Sequence, residues 1–298
     1  MSAGTRRAAG STDATLTGVG VGPGDPELLT VKAVRVLREA DVVFVPVMAD
    51  RFGPTATAGP PPPGAGVATG STAGADVATG STAGADVATG STAGADAGRA
   101  EATVRSYVDP DRVRRLPFAL DDRGGVTARR AAAWDAAARV VAEAVDAGGR
   151  SLAFATIGDP NVYSTFGYLA QSVRALRPAV RVATVPGVTA MQELAARSGI
   201  PLCEGREPLT LLPGTAGLAL FADALAGPGT VVAYKGWRRH PELLAELRRQ
   251  GRLDDAVLGR SLGLPGEHVG GVDDTEHDLP YLSTLLVPAR RHHRGGKL

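Results

Sequence analysis

The residues of this chain that could take part in chemistry cluster in short loops. The most pronounced is Gly158-Asp159-Pro160-Asn161-Val162-Tyr163-Ser164-Thr165. Glycine lets another molecule approach the main chain closely. Asp159 offers an acceptor, and Pro160 fixes its own φ. Three further loops have the same character: Gly22-Pro23-Gly24-Asp25, Pro186-Gly187-Val188-Thr189 and Tyr234-Lys235-Gly236. All are rich in main-chain access and poor in acid–base groups. Such a set suits a ligand gripped by N–H and C=O groups, with the chemistry carried by the ligand itself. Taken singly, Gly-Asp-Pro is equally ordinary turn chemistry, so the ordered set carries the reading.

Other chemistries fit poorly. A dinucleotide fingerprint needs glycines at its first, third and sixth places and a helix directly after them. Counting from Gly18, the sixth place is Pro23, and from Gly20 it is Asp25. Pro23 has no N–H for a phosphate, and the helical pattern starts only near Thr30, too late for its amino end to meet a pyrophosphate. A P-loop fails because no Gly-Lys-Ser/Thr follows the glycines. There is no Gly-x-Ser-x-Gly elbow, although Ser164 lies near a strand end. His268 and His277 are isolated and read as surface residues, and the adjacent His292 and His293 lack further fixed ligands, so no metal site is expected.

The loops must be positioned by the elements around them. Ala14 to Val21 reads as a strand. Thr30 then caps a helix with Ala33, Val34, Leu37 and Ala40 facing inward. Val42 to Val47 is a second buried strand, which makes a βαβ unit with parallel strands. Thr103 to Val108 and Arg112 to Leu116 read as short strands. Thr127 opens a long helix, with Trp134, Ala138, Val141 and Val145 on its core face, that ends at Gly148-Gly149. The apolar run Leu152 to Ile157 predicts a buried strand, so the Gly158 loop lies at a carboxyl strand end, where open α/β sheets hold ligands. A helix with Phe166, Leu169, Val173 and Leu176 inward follows, then a strand over Val182 to Val185, then a helix over Ala190 to Arg197 capped by Thr189. The second half predicts strands at Leu209 to Leu212, Thr230 to Tyr234, Ala256 to Ser261, Glu267 to Val272 and Leu282 to Val287. Helices fit Leu218 to Ala226 and Pro241 to Gln250. The strand-rich end implies a sheet of mixed direction.

At 298 residues the chain suits two domains of about 150 residues each. We place an N-terminal α/β domain at 14–186 and a C-terminal one at 187–289, with tails at 1–13 and 290–298, the latter a solvated basic end. Residues 51–100 interrupt the first domain. They contain three copies of Val-Ala-Thr-Gly-Ser-Thr-Ala-Gly-Ala-Asp over 67–96. These units carry too little apolar surface to offset chain entropy, which points to a flexible insertion and away from a solenoid. The formal charge of +1 gives no global field for nucleic acid or an anionic membrane. Cys203 is the only cysteine, which excludes an intrachain disulfide; it reads as a small apolar filler. No signal peptide and no apolar run of membrane-spanning length is visible, so a cytoplasmic protein is expected.

The ordered motifs Val19 to Pro26 with Leu28-Leu29-Thr30, Gly158-Asp159-Pro160, Pro186 to Ala190 and Tyr234-Lys235 resemble the tetrapyrrole methylase family. The continuation Asn161 to Phe166 and the closing Leu279-Pro280-Tyr281-Leu282-Ser283 are most similar to its precorrin-2 C20-methyltransferases. The resemblance spans roughly 15–50 and 101–288. It implies a two-domain α/β fold with a mostly parallel N-terminal sheet and a mixed C-terminal sheet. S-adenosyl-L-methionine would lie in the cleft between them, and a homodimer is the usual assembly. By matching position it implies cofactor contacts from Pro23, Gly158, Asp159, Val162, Thr189, Ala190, Lys235 and Leu262. The implied substrate, a tetrapyrrole, carries many carboxylates, which arginines bind through bidentate charged hydrogen bonds. Arg206, Arg238 and Arg239 are the candidates, with Arg123 a further one. Catalytic side chains are not assignable. A nucleotide-dependent oxidoreductase and a non-catalytic tetrapyrrole or adenosyl-ligand binding module are the two rival readings.

Overall fold

The computed structural model describes residues 14–48, 98–120, 122, 125–234, 240–272 and 282–291. The repeat insertion, the amino-terminal tail, residues 292–298, Arg123, Lys235, Arg238, Arg239, His277 and Leu279 to Tyr281 lie outside the described residues.

The first half is a parallel five-stranded sheet in the order β3-β2-β4-β1-β5. Its strands are β1 (Thr15–Gly20), β2 (Val42–Met48), β3 (Val113–Phe118), β4 (Ser151–Thr156) and β5 (Arg181–Val185). Helices α1 (Val31–Glu39) and α2 (Arg99–Arg105) contribute Ala33, Leu37, Ala100 and Val104 to a core on one face. Helices α3 (Ala128–Asp146) and α4 (Phe166–Leu176) contribute Ala138, Val141, Leu169 and Val173 to a core on the other. Because both faces are covered, β4 is apolar along nearly its whole length, as buried parallel strands are. The helix starts follow local capping chemistry. The Thr30 hydroxyl accepts from Ala33 N and the Thr127 hydroxyl from Arg130 N, each at 3.1 Å, satisfying amides that a first turn leaves unpaired.

Three readings are corrected here. The segment read as a strand over Thr103 to Val108 is the end of α2 and the turn after it. Ala100, Val104 and Val108 fall at intervals of four and turn one helical stripe into the core. Leu176, expected inward, is the last residue of α4 and is 40% exposed. Trp134, assigned to the core, is only partly buried there and stacks on Tyr168, with ring centroids 4.3 Å apart. Helix α2 is fixed by Glu101, which is 5% exposed and bonded to Arg105 and Arg115. Burial alone would raise its pKa, but the two guanidinium groups outweigh this and hold it below the ordinary glutamate value.

The second half contains α5 (Ala190–Ser198), α6 (Leu218–Ala226) and α7 (His240–Arg249) with a sheet in the order β6-β7-β10-β8-β9. Its strands are β6 (Leu209–Pro213), β7 (Thr230–Tyr234), β8 (Val257–Arg260), β9 (His268–Gly271) and β10 (Thr284–Val287). Strands β6 and β7 are parallel; β10 is antiparallel to β7 and β8, and β8 to β9. Mixed direction was the expectation. Cys203 is exposed and not a core filler. The carboxyl end is less solvated than expected at its start, since Arg291 bonds the buried Glu207 carboxylate at 2.6 Å.

Gly167, at an exposed position in the first turn of α4, has nothing within 4 Å of where a Cβ would sit. Gly167→Ala is therefore expected to stabilise the protein by roughly 0.5–1 kcal/mol, because glycine loses more backbone freedom on folding. The measurement is the urea midpoint, and an unchanged or lower midpoint would contradict it.

Candidate active site

Three neighbouring strands, β4, β1 and β5, end at the same edge of the first sheet, and their loops meet backbone to backbone. A Cβ on Gly20 would lie 2.5 Å from Gly158 O and 2.6 Å from Gly187 N. A Cβ on Gly187 would strike Gly158 O in turn. Gly158 N donates to Gly22 O at 2.8 Å, and both glycines take left-handed φ values, 70° and 74°. Asp159, 9% exposed, ties two loops together. Its Oδ1 accepts from Asn161 N at 2.7 Å and its Oδ2 from Gly187 N at 3.0 Å. The Asp159 carboxylate therefore holds the backbone in place.

The second half closes on this junction. A Cβ on Gly158 would meet only the Thr189 Cα, at 3.9 Å, so the Gly158 side of the junction faces the start of α5. Thr189, 6% exposed, caps α5 in a box with Gln192, whose Oε1 accepts from Thr189 N at 2.7 Å and from the Thr189 hydroxyl at 2.8 Å. The Tyr234 hydroxyl, at the end of β7, donates to Thr189 Oγ1 at 3.1 Å and accepts from Met191 N at 2.9 Å. Burial pushes the Tyr234 phenol above its ordinary pKa, with the bonds to Thr189 and Met191 acting the other way. It stays protonated at neutral pH and keeps donating. Val162, from the first half, packs with Ala190 against the cluster of Leu194, Val232, Tyr234 and Leu262. Leu262 also faces the first loop, since a Cβ on Gly24, next to buried Pro23, would lie 2.6 Å from its carbonyl oxygen. Arg99 Nη2 donates to Ser261 Oγ at 3.4 Å beside it.

Of the residues singled out from sequence, Pro23, Gly158, Asp159, Val162, Thr189, Ala190 and Leu262 are brought together where the loops of the first sheet face α5 and Leu262. Lys235, next to Tyr234 in sequence, and Arg238 and Arg239 lie outside the described residues. Arg206 is not brought to the crevice. It sits in the exposed turn before β6, whose first residue pairs with Thr230 while its last, Pro213, pairs with Tyr234. Four strand steps, about 13 Å, separate those two ends. Two participants were not singled out: Gln192 and the Tyr234 hydroxyl. Gln192 was discoverable, because a glutamine three residues after a threonine cap is a capping-box signature.

Tyr163 closes the same wall with φ at 47°. That left-handed conformation costs a bulky residue about 1–2 kcal/mol. Its hydroxyl donates to the Leu211 carbonyl on β6 at 3.1 Å. The crevice as a whole offers main-chain donors and acceptors, two hydroxyls and apolar walls, an arrangement suited to gripping and orienting a ligand. Tyr234→Phe removes one donor and one acceptor from the start of α5. It is expected to cost about 1–3 kcal/mol of stability, with weaker ligand binding at Thr189. Chemical denaturation and calorimetric titration would check both, and wild-type values would refute the role given to the hydroxyl.

Comparison with known proteins identifies this architecture. The chain matches the family Tetrapyrrole (Corrin/Porphyrin) Methylases over residues 15–59 and 83–273. This chain belongs to the tetrapyrrole methylase family. It is 30% identical to a precorrin-2 C(20)-methyltransferase of a Sinorhizobium species over 281 residues, covering 92% of this chain and 94% of the relative. It is 28% identical to the cobalt-precorrin-2 C(20)-methyltransferase of Salmonella typhimurium, covering 91% and 95%. In fold it resembles the crystal structure of a cobalt precorrin-4 methyltransferase (TM-score 0.59, 16% identity, 94% and 97% covered). It also resembles a uroporphyrin-III C-methyltransferase of Thermus thermophilus complexed with S-adenosyl homocysteine (TM-score 0.54, 21% identity, 92% and 97% covered). No helix among the described residues is long and apolar enough to cross a membrane.

Proposed function

We propose that this chain is an S-adenosylmethionine-dependent C-methyltransferase acting on the C20 meso carbon of precorrin-2, or of its cobalt complex, in cobalamin biosynthesis. Near full-length similarity to two relatives named for that reaction carries the reading. The crevice supports it. Three loop backbones converge where no side chain fits, and the Gly158 face opens toward Thr189, a cradle suited to a ligand held by main-chain atoms. S-adenosylmethionine supplies a methyl group already activated on a sulfonium.

In this reading Pro23, Gly158, Asp159, Val162, Thr189, Ala190, Lys235 and Leu262 hold the donor. Asp159 acts through the backbone it fixes. Thr189 and Tyr234 set the amino end of α5, and Val162 and Leu262 supply apolar walls that exclude water. Fixing two reactants in line saves on the order of 7–11 kcal/mol of barrier, so positioning does much of the work. Arg238 and Arg239 bind substrate carboxylates. Arg206, placed at the far end of β6, takes that role only from outside this crevice. We further propose that 14–186 and 187–289 are two domains, with 51–100 an insertion, and that the protein works as a cytoplasmic homodimer.

The test is to incubate purified protein with S-adenosylmethionine and either metal-free precorrin-2 or its cobalt complex. Mass spectrometry then shows whether one methyl group is gained and which substrate gains it. No methylation of either would overturn the proposal. The family match to methylases disfavours an oxidoreductase, and a binding module predicts binding without turnover.

A further inference from the structure

We propose that the ring of Tyr163 forms the acceptor-side wall of the crevice and fixes the plane in which the tetrapyrrole lies, which makes Tyr163 a positioning residue; this rests on the functional reading above. The backbone φ of 47° at Tyr163 is one that glycine or asparagine adopts readily and a large aromatic residue adopts only when its surroundings impose it. Burial does not repay that strain, since the residue is 43% exposed. The side chain is nevertheless anchored on the second sheet. Its hydroxyl donates to the Leu211 carbonyl on β6 at 3.1 Å, and its ring meets Tyr234 edge to face, with centroids 6.1 Å apart at 83°. Tyr234 in turn fixes the start of α5 through Thr189 and Met191. A strained aromatic residue that leaves the Asp159 loop, is pinned to the opposite sheet and still keeps much of its surface open is suited to contact with a flat conjugated macrocycle. It stands beside Tyr234, at the end of β7.

The experiment compares the full-length wild type with Tyr163→Asn, Tyr163→Gly and Tyr163→Phe. The first two residues accept the same backbone conformation without a ring; the third keeps the ring and loses the hydroxyl. For the Asn and Gly variants we expect a Tm equal to or above that of the wild type. Their S-adenosylhomocysteine Kd should stay within about twofold, while KM for the tetrapyrrole rises about tenfold. Tyr163→Phe should keep KM within about threefold of wild type. An unchanged KM in the Asn and Gly variants overturns the proposal, with or without a fall in Tm. So does an equal loss of S-adenosylhomocysteine affinity, or a Phe variant as impaired as the Asn one. If the wild type methylates neither tetrapyrrole, the functional reading falls separately. Absorbance titration of the tetrapyrrole with S-adenosylhomocysteine present then ranks the four proteins. Weaker binding by the Asn and Gly variants alone supports the wall, and equal or absent binding by all four overturns it.

Discussion

Gly20→Ala is expected to force the three loops apart. The added methyl group would sit 2.5 Å from Gly158 O, 2.6 Å from Gly187 N and 2.7 Å from Gly187 Cα. All three neighbours are backbone atoms of adjacent strand ends, so no rotamer change relieves the clash. Overpacking in a close-packed interior costs about 1–3 kcal/mol and occasionally more, and a clash with backbone on two sides belongs at the top of that range. For a chain of this size, 3 kcal/mol lowers Tm by roughly 10 °C. The loops on either side must also separate, so S-adenosylhomocysteine binding should fall below detection in a calorimetric titration. Gly167→Ala adds the same methyl group where nothing lies within 4 Å and should bind normally. Wild-type melting and affinity in Gly20→Ala would mean that the three loops do not meet.

The second large effect is expected at Asp159. Its two carboxylate oxygens accept from Asn161 N and Gly187 N, so one side chain holds its own loop in shape and joins it to the loop after β5. Asp159→Ala leaves both amides without that partner. Water can reach exposed Asn161, whereas Gly187 is only partly accessible. An abandoned, poorly solvated donor costs about 1–3 kcal/mol. We expect a stability loss of that order and a fall in S-adenosylhomocysteine affinity of about a hundredfold, about 2.7 kcal/mol. Asp159→Asn separates shape from donor–acceptor matching. Its amide oxygen can accept from one N–H, but its NH2 group then faces the other donor. Affinity should therefore run wild type, Asn, Ala in descending order. An Asn variant indistinguishable from wild type would show that the second hydrogen bond contributes nothing.

Most elements were legible because the local signals agreed with the fold. Thr30, Thr127 and Thr189 each stand directly before the helix they cap. The unbroken apolar run of β4 announced a strand buried on both faces. Where reading failed, two signals competed. Thr103, Val104, Tyr107 and Val108 are β-formers in two close pairs and suggested a strand. The decisive helical interval runs through Ala100, in a stretch of small residues that resembles the preceding repeats. In the site, residue types were legible and distances were not. Nothing local tells that Gly20, Gly158 and Gly187 touch, because contact between residues so far apart in sequence is set by sheet order. Tyr163 looked like one letter of a motif; its strained backbone becomes visible only in three dimensions.

The glycine junction also divides the crevice into a conservative and a permissive half. On the side of β1, β4 and β5, an accepted mutation at Gly20 or Gly187 would need simultaneous adjustment of the facing main chain, so drift there is closed to single steps. On the side of the second sheet and α5, the lining is made of side chains such as Ala190, Leu262 and Tyr234, which can be exchanged one at a time. Single substitutions can therefore reshape that lining one residue at a time, while the three-way glycine contact beneath it stays as it is.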